Sequence, residues 1–223
     1  MARVCVFDVN ETLLDLAALD PLFERAFGDA GVRRSWFQQV LQSAFLATIT
    51  GAYSDFGAIG AAALEMTAER EGVRLSEGDR RSILGGMREL PPHPEVPAAL
   101  DLLRDAGLRL AALTNNTAEV AEAQLENAGI SDRFERILSA DTVRRLKPAP
   151  EPYRAAAEAL GVETSQVRLV AAHAWDVAGA MRAGCAAAFV ARPGMVLDPL
   201  AEPPDVVGAD LSEVAALIIA AEA

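Results

Sequence analysis

Polar side chains that could carry out chemistry occur at the ends of four predicted strands. Asp8 follows a short apolar run, Thr114 and Asn115 follow a second, Lys147 follows a third and Asp176 follows a fourth. Because ligands bind at the carboxyl ends of parallel strands, these side chains are expected to converge on one crevice. Together they supply two carboxylates, a hydroxyl, an amide and an ammonium. A solvated turn aspartate is the plain alternative for Asp8 taken alone, but the ordered set favours a site.

The lysine in this set is unusual for its rarity. Of the 20 basic residues in the chain, 19 are arginine and one is Lys147. A compact ammonium and a planar guanidinium are not interchangeable in a confined site. A single lysine in an arginine-biased chain can arise by chance, so its position just before Pro148 is what makes it a candidate site residue.

The elements that would position these residues change in type along the chain. Apolar periodicity predicts four successive helices without a strand, at 16–27, 35–50, 55–70 and 76–89. Helices then alternate with short strands to the end, which is typical of a doubly wound parallel α/β sheet. We predict an α/β core domain of residues 1–14 and 91–223, a helical cap domain of residues 15–90 inserted after the first strand, and a hinge at 91–94.

Composition narrows the range of functions. The 223 residues are 52% hydrophobic and carry a net charge of −12, which argues against nucleic acid and acidic membrane surfaces as partners. No apolar stretch is long enough to span a membrane, and the N-terminus lacks a signal-peptide layout. Cys5 and Cys185 lie in apolar strand-like runs and are expected to be buried free thiols. These features favour a cytoplasmic location.

The ordered set resembles the motifs of the haloacid dehalogenase (HAD) superfamily, over the whole chain. The first motif of that superfamily is a nucleophilic aspartate with a threonine four residues later, here Asp8 and Thr12. The second is a serine or threonine after a core strand, here Thr114. The third is a lysine, here Lys147, and the fourth is an acidic residue after a later strand, here Asp176. The resemblance implies a HAD-like, Rossmann-like core with a small helical cap.

Most members of this superfamily are Mg²⁺-dependent phosphatases, and the sequence departs from their pattern. They place a second aspartate two residues after the nucleophile as a general acid, whereas this chain has Asn10, which cannot serve as a carboxylic acid. Their fourth motif carries further acidic residues that complete an oxygen-rich metal site, whereas Ala172 stands here. No metal or other cofactor is therefore expected.

The remaining pattern looks like the metal-independent L-2-haloacid dehalogenase branch, type II. That resemblance implies that Asp8 attacks a halogen-bearing carbon and forms an aspartyl ester, which water hydrolyses to a hydroxy acid. It also implies that Lys147 keeps Asp8 ionised, that Thr12 binds the carboxylate of Asp8, and that Asp176 orients or activates the hydrolytic water.

The resemblance also implies a set of substrate and halide contacts. Phe56 and Trp175 have core packing as an equally plain explanation, and His173 could be satisfied by backbone groups rather than by an anion or a water. Thr114 is expected to bind the substrate carboxylate, and Asn115 the leaving halide. The full expected set comprises Asn10, Phe37, Gln38, Phe56, Thr114, Asn115, Tyr153, His173 and Trp175.

Two departures from this branch affect the substrate. Its members carry an arginine directly after a tryptophan in a cap helix, and here Trp36 is followed by Phe37. Arg33 and Arg34, about one turn earlier, could replace that arginine only with a different helix register. A pocket facing Phe37 would suit a less charged or bulkier molecule, so reduced or absent activity on 2-chloropropionate is expected.

Two other functions remain open at this point. A Mg²⁺-dependent phosphatase that tolerates Asn10 would depend on metal, and a catalytically weak HAD-like binding protein would leave Asp8 unmodified by haloacids. The expected partner is a small halogenated organic acid. A homodimer is also possible, because the apolar helix with Trp36, Phe37 and Phe45 could pair across a two-fold axis.

Overall fold

A six-stranded parallel sheet forms the centre of the molecule, whose computed structural model describes residues 4–222. The strands are β1 Val4–Phe7, β2 Leu110–Thr114, β3 Arg136–Ser139, β4 Val167–Ala171, β5 Ala186–Val190 and β6 Val206–Gly208. Their order in the sheet is β3-β2-β1-β4-β5-β6, so β1 lies between β2 and β4, and the strand order reverses next to β1. This confirms the doubly wound α/β prediction.

Helices cover both faces of the sheet, and the central strands are consequently buried on both sides. Every residue of β1, β2 and β4 is buried, as expected for central strands of a parallel sheet. The helices are α1 Asp20–Phe27, α2 Val32–Thr50, α3 Phe56–Glu71, α4 Glu77–Gly86, α5 Val96–Asp105, α6 Ala118–Asn127, α7 Pro150–Leu160, α8 Ala174–Arg182 and α9 Leu211–Glu222.

Helices α1 to α4 follow one another between β1 and α5. Side-chain caps define two of their starts, because Asp55 accepts from the N–H of Ala58 and Ser76 accepts from that of Asp79. The two ends of this helical segment are joined by a backbone hydrogen bond, in which the N–H of Asp15 donates to the carbonyl of Pro91 at 2.9 Å. The division into a cap of residues 15–90 and a core remains a prediction. The hydrogen bond between Asp15 and Pro91 lies at the boundary where that division would fall.

The helix that carries Asp176 starts earlier than the sequence predicted. The apolar pattern of the sequence predicts a helix over 177–183, but α8 begins at Ala174 because the carbonyl of His173 accepts from both Asp176 and Val177 N–H groups. Asp176 therefore lies in the first turn of α8 and not in a loop. The geometry of this helical turn sets the orientation of its side chain.

A dimer through the helix with Trp36, Phe37 and Phe45, which is α2, stays a prediction, but Trp36 and Phe37 do not lie on the surface of that helix. Both side chains are buried within this chain, against α1, α3 and each other. The large apolar side chains that α2 exposes are Leu46 and Ile49, at 61% and 83% exposure. Among residues 4–222, no helix is long and apolar enough to cross a membrane. Cys5 and Cys185 are free and buried, as predicted.

Candidate active site

Lys147 lies at the centre of a buried cluster at the carboxyl edge of the sheet. Its Nζ donates to Asp8 Oδ1 at 2.8 Å, to Asp176 Oδ2 at 2.6 Å and to the Leu113 carbonyl at 2.9 Å. An ammonium has three protons, and these three contacts use all of them. Burial lowers the pKa of Lys147, but the two carboxylates outweigh burial and raise it, so the side chain is cationic.

Asp8 follows β1 directly, and its backbone N–H is held by the carbonyl of Val170 on β4 at 3.0 Å. Its Oδ2 accepts from the hydroxyl of Thr12 at 2.6 Å and lies 3.3 Å from His173 Nδ1. Burial raises the pKa of Asp8, but Lys147 and His173 outweigh burial and hold it well below its usual range. Asp8 is therefore an ionised carboxylate at any ordinary pH.

Asp176 is fully buried and has the opposite electrostatic balance. Its Oδ1 accepts from the Tyr153 hydroxyl at 2.5 Å, and its Oδ2 from Lys147. Burial raises its pKa, Lys147 lowers it and the nearby Asp8 raises it, with a net increase. Two carboxylates that share one ammonium thus differ in basicity, which is the usual way one site obtains a nucleophile and a base from the same residue type.

His173 lies between two carboxylates, of which the sequence predicted neither as its partner. Its Nδ1 faces Asp8, and its Nε2 is 2.9 Å from Oε2 of Glu11. Burial lowers the pKa of His173, but the hydrogen bonds to Asp8 and Glu11 outweigh it and raise the pKa to about 9. The ring is therefore an imidazolium at neutral pH, and not a histidine satisfied by backbone groups.

The loop after β2 secures the lysine through its main chain. The side-chain oxygen of Asn115 accepts from the N–H of Lys147 at 2.8 Å, while Asn115 Nδ2 makes one long contact of 3.4 Å to the Lys147 carbonyl. Thr114 is buried and accepts from the N–H of Asn116 at 3.2 Å. Asn115 Nδ2 consequently keeps donor capacity for a ligand.

The order of these residues along the chain is the order of the motifs described above. The sequence model for haloacid dehalogenase-like hydrolases matches residues 2–184, which is most of the chain. The chain belongs to the haloacid dehalogenase-like hydrolase family.

Relatives of this hydrolase align with it over most of their length. This chain is 32% identical to haloacetate dehalogenase H-2 of Moraxella sp. (strain B), in an alignment that covers 89% of this chain and 90% of the relative. It is 31% identical to (S)-2-haloacid dehalogenase of Pseudomonas sp. (strain YL), covering 89% and 87%. A structure of L-2-haloacid dehalogenase from Xanthobacter autotrophicus with chloropropionic acid covalently bound superposes with a TM-score of 0.91 at 29% identity, covering 98% of each chain.

This HAD-like hydrolase has a cavity of about 310 Å³ between the helices of residues 32–89 and the start of α6. Asn116, which directly follows Asn115 in the loop after β2, lines the cavity, whereas Asp8, Lys147 and Asp176 do not. Phe37 and Phe56 both line it. Gln38 does not join the site residues, because its side chain is exposed on the outer side of α2. The polar side chains in the wall already have partners within the protein: Trp36, Asp55, Arg88, Asn116 and Thr117.

Trp175 is partly buried next to the histidine, with ring centroids 5.1 Å apart, and contacts Phe45 of α2. Its indole Nε1 is buried and has no hydrogen-bond partner within residues 4–222. Buried polar groups are rarely left unpaired, so this N–H is a candidate donor to a bound ligand.

Asn10 has a structural contact that the sequence did not predict. Its amide oxygen accepts from Gln124 Nε2 at 3.1 Å, and the same Nε2 donates to the Met87 carbonyl at 2.6 Å. Asn116 donates to Gln124 Oε1 at 2.8 Å. Gln124 thus joins the loop after β1, the loop after β2 and the end of the helical segment.

Arg192 and Glu11 are further residues that sequence reasoning missed. Arg192 follows β5 and donates to the Thr12 carbonyl at 2.8 Å and to Glu95 at 2.5 Å, which fixes the loop that carries Asp8. Its position after a strand was a usable signal, because it follows the same rule as the other site residues. Glu11 gave no such signal, since it is one of several acidic residues in its stretch.

Proposed function

We propose that this protein is a hydrolytic dehalogenase of 2-haloacids that uses Asp8 as its nucleophile. The observation that carries the proposal is the sharing of one buried ammonium by two carboxylates whose pKa values are shifted in opposite directions. The names of the aligned relatives, all dehalogenases of haloacids, supply the substrate class.

The reaction has two steps. In the first, a carboxylate oxygen of Asp8 forms a C–O bond to the halogen-bearing carbon as the C–halogen bond breaks and halide leaves. In the second, a water attacks the ester carbonyl and gives one proton to Asp176, which passes it to the alkoxide oxygen as the acyl C–O bond breaks and a 2-hydroxy acid leaves. Asp8 then loses the other proton of that water to solvent and is again a carboxylate. Because its pKa is depressed, Asp8 is ionised for the first step, whereas the raised pKa makes Asp176 the better base for the second.

Donors for the leaving halide are available without Lys147, whose protons are already engaged. Asn115 Nδ2 keeps donor capacity, and the buried Trp175 Nε1 lacks a partner among the residues described. We assign these two N–H groups to the halide. A charge-assisted hydrogen bond of this kind contributes on the order of 1.5–3 kcal/mol.

The position of Asn10 supports this reaction over phosphoryl transfer. The amide oxygen of Asn10 is held by Gln124, so the position where a phosphatase of the superfamily carries its general acid is a structural contact here. A leaving halide needs no proton, whereas a leaving alkoxide does.

The cavity supports a substrate with an apolar substituent larger than a methyl group. Each polar side chain in its wall already has a hydrogen-bond partner within the protein, and apolar side chains such as Phe37, Phe56 and Val120 line the rest, which suits an apolar group. An apolar cavity of about 150 Å³ accommodates benzene, and this one measures about 310 Å³. Phe37 in its wall offers no charge to a carboxylate, and the guanidinium of Arg88 in the same wall is paired with Glu119, so 2-chloropropionate is expected to be a poor substrate.

Halide release from 2-bromopropionate and 2-bromohexanoate, with and without EDTA, tests the proposal. Asp8→Asn is expected to lower kcat by at least about a thousandfold, because the amide is not a nucleophile. In a single-turnover experiment, with enzyme in excess over substrate in oxygen-18-labelled water, the oxygen-18 label should appear in the Asp8 carboxylate and not in the hydroxy acid that is released. Activity that survives Asp8→Asn, or that disappears with EDTA, would contradict the mechanism.

Two finer proposals concern the context of the enzyme. Two buried free thiols fit a reducing compartment, so we assign the protein to the cytoplasm. We also propose a homodimer that covers the exposed Leu46 and Ile49 on α2. Light scattering of the wild type and of Leu46→Glu should give a dimer and a monomer respectively; a monomeric wild type would contradict the dimer.

A further inference from the structure

Glu11 has a backbone conformation that non-glycine residues seldom adopt. Its φ is +61°, in the left-handed region, and Arg144 is the other non-glycine residue with positive φ in the described part of the chain. Such strain persists where surrounding contacts maintain it, and it concentrates at functional sites. Here the strained residue is three positions after the nucleophile, in the loop that binds it.

With this backbone conformation, the carboxylate of Glu11 lies against the imidazole of His173. Glu11 Oε2 lies 2.9 Å from His173 Nε2, and its other oxygen lies 3.9 Å from the Arg33 guanidinium of α2. The Glu11 backbone carbonyl is 3.2 Å from His93 Nε2, so the residue is held from a third side. Arg33 is itself paired with Asp20 at 2.5 Å, and therefore does not reach the nucleophile.

A haloacid is an anion, and it must approach an anionic nucleophile. Lys147 carries one positive charge, which is shared by the carboxylates of Asp8 and Asp176, so these three groups together keep a negative charge. The other buried cation in contact with Asp8 is the imidazolium of His173. Charges that face this ring are Asp8 from the end of β1 and Glu11 from the loop after it, with Lys147 and Arg33 beyond them.

We infer that Glu11 is a positioning residue, which holds His173 as a cation beside Asp8 and so lets an anionic substrate bind next to an anionic nucleophile. The inference rests on the proposed function and adds a determinant of substrate charge to it. On this inference His173 is the second cation of the site, after Lys147. The left-handed backbone at Glu11 is then the conformation that brings its carboxylate to His173.

The titration of His173 tests the pairing without relying on activity. The chain has two histidines, so the imidazole signals in an NMR titration of labelled full-length protein can be assigned with His93→Gln. Glu11→Gln removes one of the two carboxylates and should lower the pKa of His173 by about one unit or more. An unchanged titration of His173 in Glu11→Gln would overturn the pairing.

The pH dependence of kcat/KM tests the role in catalysis. The imidazolium is present below its pKa and lost above it, so the alkaline limb of Glu11→Gln should move to lower pH. At pH 9 the variant should show a KM for the haloacid at least about fivefold above that of the wild type, while at pH 6 the two should agree within about twofold. Glu11→Asp should restore part of the difference, and Glu89→Gln, an exposed carboxylate, should change nothing.

Glu11→Gly separates charge from backbone strain. It relieves the left-handed strain and removes the carboxylate, so it should show the same alkaline shift as Glu11→Gln although residue 11 is no longer strained. A wild type that turns over haloacids while both variants keep its alkaline limb and KM would refute the inference alone. A wild type that turns over no haloacid would refute the proposed function, and the NMR titration would still decide the pairing.

Discussion

At the residue scale, two chemically identical carboxylates have different properties because of their neighbours. Asp8 accepts hydrogen bonds from Lys147 and Thr12 and faces the His173 cation, whereas Asp176 accepts from Lys147 and the neutral Tyr153 hydroxyl. Both are buried, so burial does not distinguish them. The extra positive charge beside Asp8 and the negative charge of Asp8 felt by Asp176 account for the opposite shifts in pKa.

Tyr153→Phe tests the role of Asp176 as the base. The phenol donates to Asp176 and lowers its pKa, so its removal should raise that pKa and move the acidic limb of kcat upward by about one unit. Because only the second step needs this base, the first halide burst should persist while turnover slows. Tyr53→Phe is the matched control, since Tyr53 hydrogen-bonds to Asp141 outside the cluster. An unchanged acidic limb in Tyr153→Phe would contradict this role.

At the element scale, close packing of α8 against the segment after Lys147 brings the carboxylate of Asp176 to the ammonium of Lys147. A Cβ atom at Gly179 would lie 2.6 Å from Pro148 Cβ, 2.8 Å from the Tyr153 hydroxyl and 2.9 Å from the Pro148 carbonyl. Glycine therefore allows α8, with Asp176 in its first turn, to approach the loop that carries Lys147. Asp176 reaches Lys147 because the helix itself lies this close.

Gly179→Ala should push α8 away from this loop. Overpacking of this kind costs about 1–3 kcal/mol in the free energy of unfolding, and kcat should fall because the Lys147–Asp176 distance increases. Gly85→Ala is the matched control, because a Cβ at this glycine of α4 meets no atom within 4 Å and should stabilise the protein by about 0.5–1 kcal/mol. Urea unfolding measures both changes. Equal stability of the two variants would show that α8 is not tightly packed.

At the scale of the whole molecule, the cavity exists because helices from two separate parts of the chain enclose it. Its wall combines Phe37 on α2 and Phe56 on α3 with Val120 on α6. No single element forms a pocket, so the substrate preference that we propose depends on how the helical segment is seated on the sheet. Gln124 and the contact of Phe45 with Trp175 bind the two parts together.

Filling the cavity should change the preferred size of the substrate. Gly60 lines the cavity, and a Cβ there meets only Trp36, at 4.0 Å. Gly60→Val should lower kcat/KM for 2-bromohexanoate by about tenfold and leave 2-bromopropionate within about twofold, because the loss of a buried alkyl group is worth on the order of 1–3 kcal/mol. Ala62→Val, on the exposed side of the same helix, is the control. An equal loss for both substrates would place the alkyl group elsewhere.

The sequence was sufficient for the fold, and it identified polar side chains at strand ends that the structure brings into contact with Lys147. Short apolar runs that end in Asp8, Thr114 and before Asp176 follow from local patterns, and such patterns determine where strands begin and end. The boundaries of α8 were wrong by three residues, since the carbonyl of His173 and not an apolar period starts that helix. Gln38 was expected near Phe37 by adjacency, but successive residues on a helix point in different directions.

What the sequence by itself determined was the set of chemical groups and the strand ends that carry them, because those depend on residue type and on periods of two and 3.6 residues. Only the tertiary structure decided which groups meet. The place of β1 between β2 and β4 brings Asp8 to Lys147 and Asp176, and the left-handed turn at Glu11 brings its carboxylate to His173. Pairing across 139 positions, as between Asp8 and Lys147, is set by packing of the whole chain, which no local pattern contains.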